Sequence, residues 1–306
     1  WPIQQTDVLY FRKCFGCGRI LCLCIGSYPR LLRFIGGNMN KSMVILSLLG
    51  IVSAHQPVMD MAPRWAGGWG FQFRYETLGS DKNIGGEYGS AGKSYYRQTT
   101  WFEGVYTWKR SIRATFKLPY HQVKSEKQLI DWGNPIVRHK GLGDLIVALP
   151  LKKYFNLNRS TGNYSVTPQI RFKTGDNTDI LPSKGGYGLS LSYNAEDFKY
   201  YQLYDIYGWS LDDGSTLFGF DVNLGWHPLH INATNTGVFL MWDGTYQAKI
   251  DKDGNEDFRL FTGPVAVLYK GGIMARIDIK IPVSEYADKA SLSKGVMVQT
   301  GIGFVF

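Results

Sequence analysis

From Gly67 onward, apolar and polar side chains alternate for about ten residues at a time, and clusters of Gly, Asp, Asn, Ser and Lys separate the runs. This period-two spacing belongs to β-strands, whose successive side chains point to opposite faces. Phe71, Phe73 and Tyr75 oppose Gln72, Arg74 and Glu76, and Thr100, Phe102, Tyr106 and Trp108 oppose Trp101, Glu103 and Val105. Ile112, Ala114, Phe116 and Leu118 stand against Arg113, Thr115 and Lys117. Leu145, Val147 and Leu149 stand against Asp144, Ile146 and Ala148, and Val166, Ile170 and Phe172 against Gln169, Arg171 and Lys173. Leu189, Leu191 and Tyr193 face away from Ser190, Ser192 and Asn194. Phe218, Phe220, Val222 and Leu224 face away from Asp221 and Asn223, and Ile277, Ile279 and Ile281 from Arg276, Asp278 and Lys280. With Tyr200–Leu211, Gly237–Ile250, Arg259–Tyr269 and the terminal run Gly295–Phe306, the pattern predicts about twelve strands.

A strand with three alternating charges needs water or counter-charges on that face and apolar surroundings on the other. A transmembrane barrel supplies lipid outside and a polar lumen inside. A soluble sandwich or lipocalin-like barrel satisfies the same alternation with the faces exchanged. No apolar run reaches the ~18–20 residues a membrane helix requires, so a membrane-spanning form of this chain is a barrel. The chain stops on an aromatic, with Val296, Val298, Thr300, Ile302, Phe304 and Phe306 on one face. That ending resembles the C-terminal assembly signal of bacterial outer-membrane barrels, with Phe304 and Phe306 as its carriers. The resemblance implies outer-membrane lipid as surroundings and the barrel-assembly machinery as a partner of the last strand.

The segment from Met39 separates the membrane reading from the soluble one. Lys41, the apolar run Met43–Val52 and the small residues Val52-Ser53-Ala54 form the charged, apolar and cleavage regions of a secretion signal over 39–54, cleaved after Ala54. Residues 1–38 then read as an upstream extension outside the fold, 55–66 as a short N-terminal segment, and 67–306 as the barrel. The four cysteines, Cys14, Cys17, Cys22 and Cys24, all fall in that extension, so their zinc-like spacing carries no weight for the mature chain. Arg12, Lys13, Arg19, Arg30, Arg33 and Lys41 against Asp7 account for five of the formal nine positive charges, which removes the case for nucleic acid.

An even strand number places both termini in the periplasm. Short connectors such as Lys109-Arg110 and Lys270–Gly272 then lie on that side, together with His227–Thr236, and the longer Gly79–Lys93, Tyr120–Lys140 and Thr174–Gly186 lie outside. Aromatics at strand ends predict interface girdles: Trp65, Trp69, Tyr106, Trp108, Tyr154, Phe155, Tyr207, Trp209 and Trp226.

Candidate chemistry is sparse. His227-Pro228-Leu229-His230 has no carboxylate at ligand spacing and reads as a pair of solvated turn histidines. Asp251–Asp257 (DKDGNED) misses the calcium-loop pattern and reads as a polar hairpin tip. No catalytic residue, metal ligand or cofactor site is predicted. The set with functional weight is the inward one: Arg74, Glu76, Glu103, Arg113, Lys117, Asp144, Gln169, Arg171, Lys173, Asp221, Arg276, Asp278 and Lys280. These charges either line a solute path and select by local field or neutralise one another in a narrow lumen.

Four stretches resemble the outer-membrane proteins of the MetA-pathway phenol-degradation family. They are Gly141-Leu142-Gly143-Asp144, Pro168–Asp176 with its Thr174-Gly175-Asp176, Gly263-Pro264 leading to Tyr269, and Ile281-Pro282-Val283 before the Phe-terminated strand. The resemblance covers roughly 67–306 and departs from the family at Lys173, where a Pro is usual. It implies a porin-like outer-membrane barrel of a Gram-negative cell, a passive channel or transporter for small, often aromatic or hydrophobic solutes, and no enzyme. The alternatives are a structural or adhesive barrel working through its loops and a lipid-modifying enzyme.

Overall fold

The structure, a computed structural model, describes residues 67–85, 94–126, 136–157, 160–176, 182–197, 199–231, 236–289 and 291–306. The expected secretion signal, its upstream extension, the segment 55–66 and Trp65 lie outside the described residues. Twelve antiparallel strands form one sheet that closes on itself. They are β1 (Gly68–Ser80), β2 (Ser94–Lys109), β3 (Ile112–Glu126), β4 (three pieces, Ile136–Leu142, Leu145–Ala148 and Leu151–Leu157), β5 (Ser160–Phe172) and β6 (Gly186–Glu196). The second half comprises β7 (Tyr200–Leu211), β8 (Thr216–Ile231), β9 (Thr236–Ile250), β10 (Glu256–Lys270), β11 (Ile273–Ala287) and β12 (Met297–Val305).

Each strand pairs with its sequence neighbours, and β1 pairs with both β2 and β12. Phe306 and Trp69 exchange backbone hydrogen bonds of 2.8 and 3.1 Å, so the terminal residue takes part in closing the wall. Closure leaves no sheet edge apart from Ile136–Leu142, which pairs on one side only, and a closed wall is what lets a β-structure sit in hydrocarbon. At the end that holds both termini, two-residue turns at 110–111 and 271–272 join β2 to β3 and β10 to β11, and Gly271 supplies the positive φ (58°) for the second. At the opposite end the connections are longer, and Asn83–Ile84 pairs with Ser291–Leu292 in a small second sheet.

The alternation read from the sequence sorts outward from inward. On β11, Ile277 and Ile281 are 45% and 48% exposed, whereas Arg276 and Asp278 are 8% and 1%. A band of exposed apolar and aromatic side chains surrounds the barrel, including Phe73, Leu142, Val166, Ile170, Leu191, Leu224, Trp242 and Leu268. Such a belt is unfavourable in water and is the expected lipid contact of a membrane barrel. Near the termini, Trp69, Tyr106 and Trp108 pack ring on ring, with centroids 4.6 and 5.3 Å apart.

Three expectations are corrected. Tyr207 and Trp209 are not interface aromatics: they point into the lumen, 2% and 7% exposed. The cause is glycine across the ladder. A Cβ on Gly219 would lie 2.1 Å from Tyr207 Cζ, and one on Gly188 would lie 2.8 Å from Trp209, so the missing side chains leave slots for the rings. Tyr154 also turns inward, its hydroxyl donating to Arg110 O at 3.0 Å. Finally, His227–Ile231 is not a turn. β8 runs on to Ile231 through a register shift between Trp226 and Leu229, where Pro228 has no N–H to contribute. Both histidines thereby reach Tyr269, with His227 Nε2 and His230 Nδ1 each 2.6 Å from its hydroxyl.

At the tip between β9 and β10, the Asp251 carboxylate accepts the N–H groups of Asp253 and Asn255 and the Lys289 ammonium, each at 2.9 Å. Hydrogen bonding from Lys289 and Asn255 holds this carboxyl well below the usual carboxylate range. A lysine therefore serves the acidic tip.

Candidate functional site

Midway along the barrel, inward side chains from most of the wall form a charged belt. The odd-numbered face of β2 and the even-numbered face of β1 bring Glu103 and Arg74 together as an ion pair, and Arg74 also lies 5.9 Å over the Trp101 ring. Glu76 pairs with Arg97 at 2.9 Å. Gln299 of β12 links the two pairs, donating to Glu76 at 2.8 Å and accepting from Arg74 at 3.4 Å.

On β11, Arg276 donates to Asp278 at 2.9 Å. Lys280 donates to Asp243 of β9 and to Thr245, both at 2.8 Å, and Thr245 donates to Asp243 at 3.0 Å. Asp221 on β8 is directly opposite Asp205 on β7 and Thr245 on β9. Facing carboxylates repel unless a cation stands near. Lys117 meets that need: set beside Glu103 across the β2–β3 ladder, it is also within electrostatic reach of Asp205 and Asp221 on the other side of the lumen.

The belt is crowded. Gly301 on β12 lies between Arg74 and Arg276, and a Cβ there would stand 3.0 and 3.1 Å from their Cγ atoms. Replacing Gly301 with Leu therefore displaces both guanidinium groups into the lumen. Lower single-channel conductance with an unchanged heat-dependent gel shift is the expected result.

Below the belt, towards the termini, the inward surface changes character. Tyr201, Leu203, Phe239, Met241, Val265, Val267 and Met274 form one apolar cluster on the β7–β11 side, each 7% exposed or less. Above the belt, Tyr207 and Trp209 pack with Ile146, Leu211 and Leu217. Charge at mid-height is thus flanked by apolar surface along the axis.

The structure brings together eight of the residues singled out from sequence: Arg74, Glu76, Glu103, Lys117, Asp221, Arg276, Asp278 and Lys280. Gln169 is buried on β5 opposite Ala148 and Gly188. Arg113 sits nearer the termini, 3.3 Å from the Tyr154 hydroxyl. Lys173 lies at the loop-end rim, 3.3 Å from Asp212. Asp144 and Arg171 bind each other. Asp144, 3% exposed, accepts from Arg171 Nη2 at 2.7 Å and Nε at 3.0 Å, from the N–H groups of Gly175 and Lys184, and from Ser183. That fastens the connection after β5 onto the break in β4, so Gly141-Leu142-Gly143-Asp144 and Thr174-Gly175-Asp176 pack against one another.

Asp205, Asp243, Arg97 and Gln299 belong to the belt but escape the sequence reading. Asp205 and Asp243 share their faces with Tyr201, Leu203, Phe239 and Met241, so the polar signal is diluted. Gln299 lies on the inward face of the last strand, where a lone amide carries no charge signal.

Among the described residues, no three His, Cys, Asp or Glu side chains are grouped to hold a metal ion. No family model and no curated sequence matches this chain. The fold has counterparts among solved structures. An outer-membrane channel, COG4313, from Pseudomonas putida F1 superposes with a TM-score of 0.57 at 14% identity, over 79% of this chain and 96% of that one. The β domain of the Bordetella autotransporter BrkA gives 0.46 at 11% identity, over 78% of this chain and all (100%) of the other. The architecture is that of an outer-membrane β-barrel.

Proposed function

We propose that the chain is an outer-membrane channel through which small molecules, including aromatic or hydrophobic ones, cross passively. The observation that carries this reading is the lumen itself: a belt of paired charges at mid-height between apolar and aromatic surfaces, inside a wall whose outer face is apolar. Fixed charges of both signs favour ions and dipoles at close range, and the flanking surface favours apolar bodies. The packing of the Gly-Leu-Gly-Asp and Thr-Gly-Asp stretches on one another, and the likeness to a channel fold, support placing the chain with the MetA-pathway phenol-degradation family. In this reading 39–54 is removed after Ala54, both termini face the periplasm, and the Phe304 and Phe306 strand is handed to the barrel-assembly machinery. No catalytic residue and no cofactor is assigned.

Liposomes carrying the refolded chain and loaded with a fluorescent reporter test solute uptake. Aromatic acids and alcohols should enter faster than into empty liposomes, and equal rates would remove this function. The belt is tested by charge. Arg276→Gln withdraws one cation beside Asp278, so the reversal potential in a salt gradient should move towards cation preference. An unmoved potential would take Arg276 out of the path.

A further inference from the structure

We propose that the outward face of β3 and the first piece of β4 binds the phosphate groups of lipopolysaccharide. The proposal rests on the reading that the loop end faces the cell exterior.

The hairpin made by β3 and Ile136–Leu142 projects past the end of β5, because β5 begins pairing with β4 only at Leu145. Its faces are fixed by the ladder. Val123 is 3% exposed and His121 bonds Thr99 at 3.0 Å, so the odd-numbered residues of β3 point inward. The even-numbered ones and their partners point out: Tyr120 opposite Leu142, Gln122 opposite Lys140, and Lys124 opposite Arg138. Tyr120 and Leu142, 39% and 50% exposed, are the last apolar pair of the lipid-facing band. Lys140 lies one step beyond and the Lys124–Arg138 pair two steps beyond, about 7 Å per step along a strand.

Like charges directly opposite on a sheet are destabilising. Lys124 and Arg138 are such a pair, with Lys140 diagonal to Lys124 and the acid Glu126, opposite Ile136, one step farther out, and none of the three cations is ion-paired among the described residues. Among the described strands, no other turns a cation outward at the loop end. Clusters of Lys and Arg just beyond an apolar membrane band bind anionic lipid head groups. In the outer leaflet of an outer membrane, the anionic groups at that height are the phosphates of lipopolysaccharide. Arg138 offers a planar fork for bidentate phosphate contact, and the two lysines add point charges.

The test uses the refolded chain in detergent, titrated with bisphosphorylated lipopolysaccharide of short core and, separately, with the same glycolipid stripped of phosphate. Binding is read by native mass spectrometry and folding by the heat-dependent gel shift. Wild type should bind the phosphorylated form at least tenfold more tightly, and added salt should weaken that binding. K124Q/R138Q/K140Q should lose the preference, and the charge-matched K153Q/K199Q/K270Q at the opposite end should keep it. Arg138→Glu offers a second, folding-independent handle. By placing an acid opposite Lys124 it should raise the melting temperature without lipopolysaccharide and abolish the rise that lipopolysaccharide gives wild type. Equal binding by wild type and the first triple variant, or equal loss in both triple variants, overturns the proposal. The orientation is checked apart from binding, by labelling a cysteine placed at Lys252 on intact cells. Labelling only after lysis would overturn the orientation, and with it the proposal, whatever the titration in detergent gives.

Discussion

Lys280→Met is expected to destabilise the barrel by about 3–5 kcal/mol, the usual cost of stranding one partner of a buried ion pair. Asp243 is 1% exposed and Lys280 holds it at 2.8 Å, so removing the ammonium leaves a carboxylate in the lumen wall that still accepts from Thr245 but has lost its cation. Asp221 and Asp278 stand within electrostatic reach of the same ammonium, so the loss propagates around the belt. The double replacement of Asp243 with Leu and Lys280 with Met should recover most of the loss, because an apolar pair of similar volume often does as well as a buried ion pair. Urea unfolding in lipid vesicles, followed by tryptophan fluorescence, measures both. If the double variant were no more stable than the single one, the two residues would not be acting as a pair.

Asp144→Ala should release the connection between β5 and β6. The carboxylate gathers five donated hydrogen bonds from Arg171, Gly175, Ser183 and Lys184. Its removal leaves the Gly175 and Lys184 N–H groups without their acceptor, at about 1–3 kcal/mol for each buried group left unsatisfied. The anchors that stay include Asp176 N–H to Leu142 O at 2.9 Å, Leu145 N–H to the Thr174 hydroxyl at 2.8 Å, Asp212 N–H to Gly185 O at 3.0 Å, and the ion pairs of Lys173 with Asp212 and Lys184 with Asp213. Limited proteolysis of the inserted barrel should cut within 174–184 in the variant and spare wild type. A cleavage pattern identical to wild type would show that the other anchors suffice. Asp144→Asn should fall between, since one amide oxygen still accepts while its NH₂ faces the donors.

The arrangement of the wall was legible because membrane strands obey a strict rule. Ile277, Ile279 and Ile281 against Arg276, Asp278 and Lys280 admit only one inside, and the same holds for β1, β2 and β3. The rule fails where the lumen is itself apolar. On β7 both faces carry aromatics, so Tyr207 and Trp209 read as interface residues until the glycines opposite them are placed. Asp205 and Asp243 give little signal for the same reason, as lone acids on faces shared with Tyr201 and Phe239. Long-range side-chain contacts are not written in the local pattern. The Asp144 clamp depends on partners about thirty to forty positions away, and the meeting of His227 and His230 on Tyr269 depends on a register shift that no local pattern announces.

Single-channel recording of the refolded chain in a planar bilayer tests the central claim most directly. The account predicts discrete conductance steps from wild type, lower steps from Gly301→Leu, and a shift towards cation preference from Arg276→Gln. A barrel that inserts and shows the heat-dependent gel shift, yet gives no steps and no solute uptake, would contradict the reading of the lumen as a path.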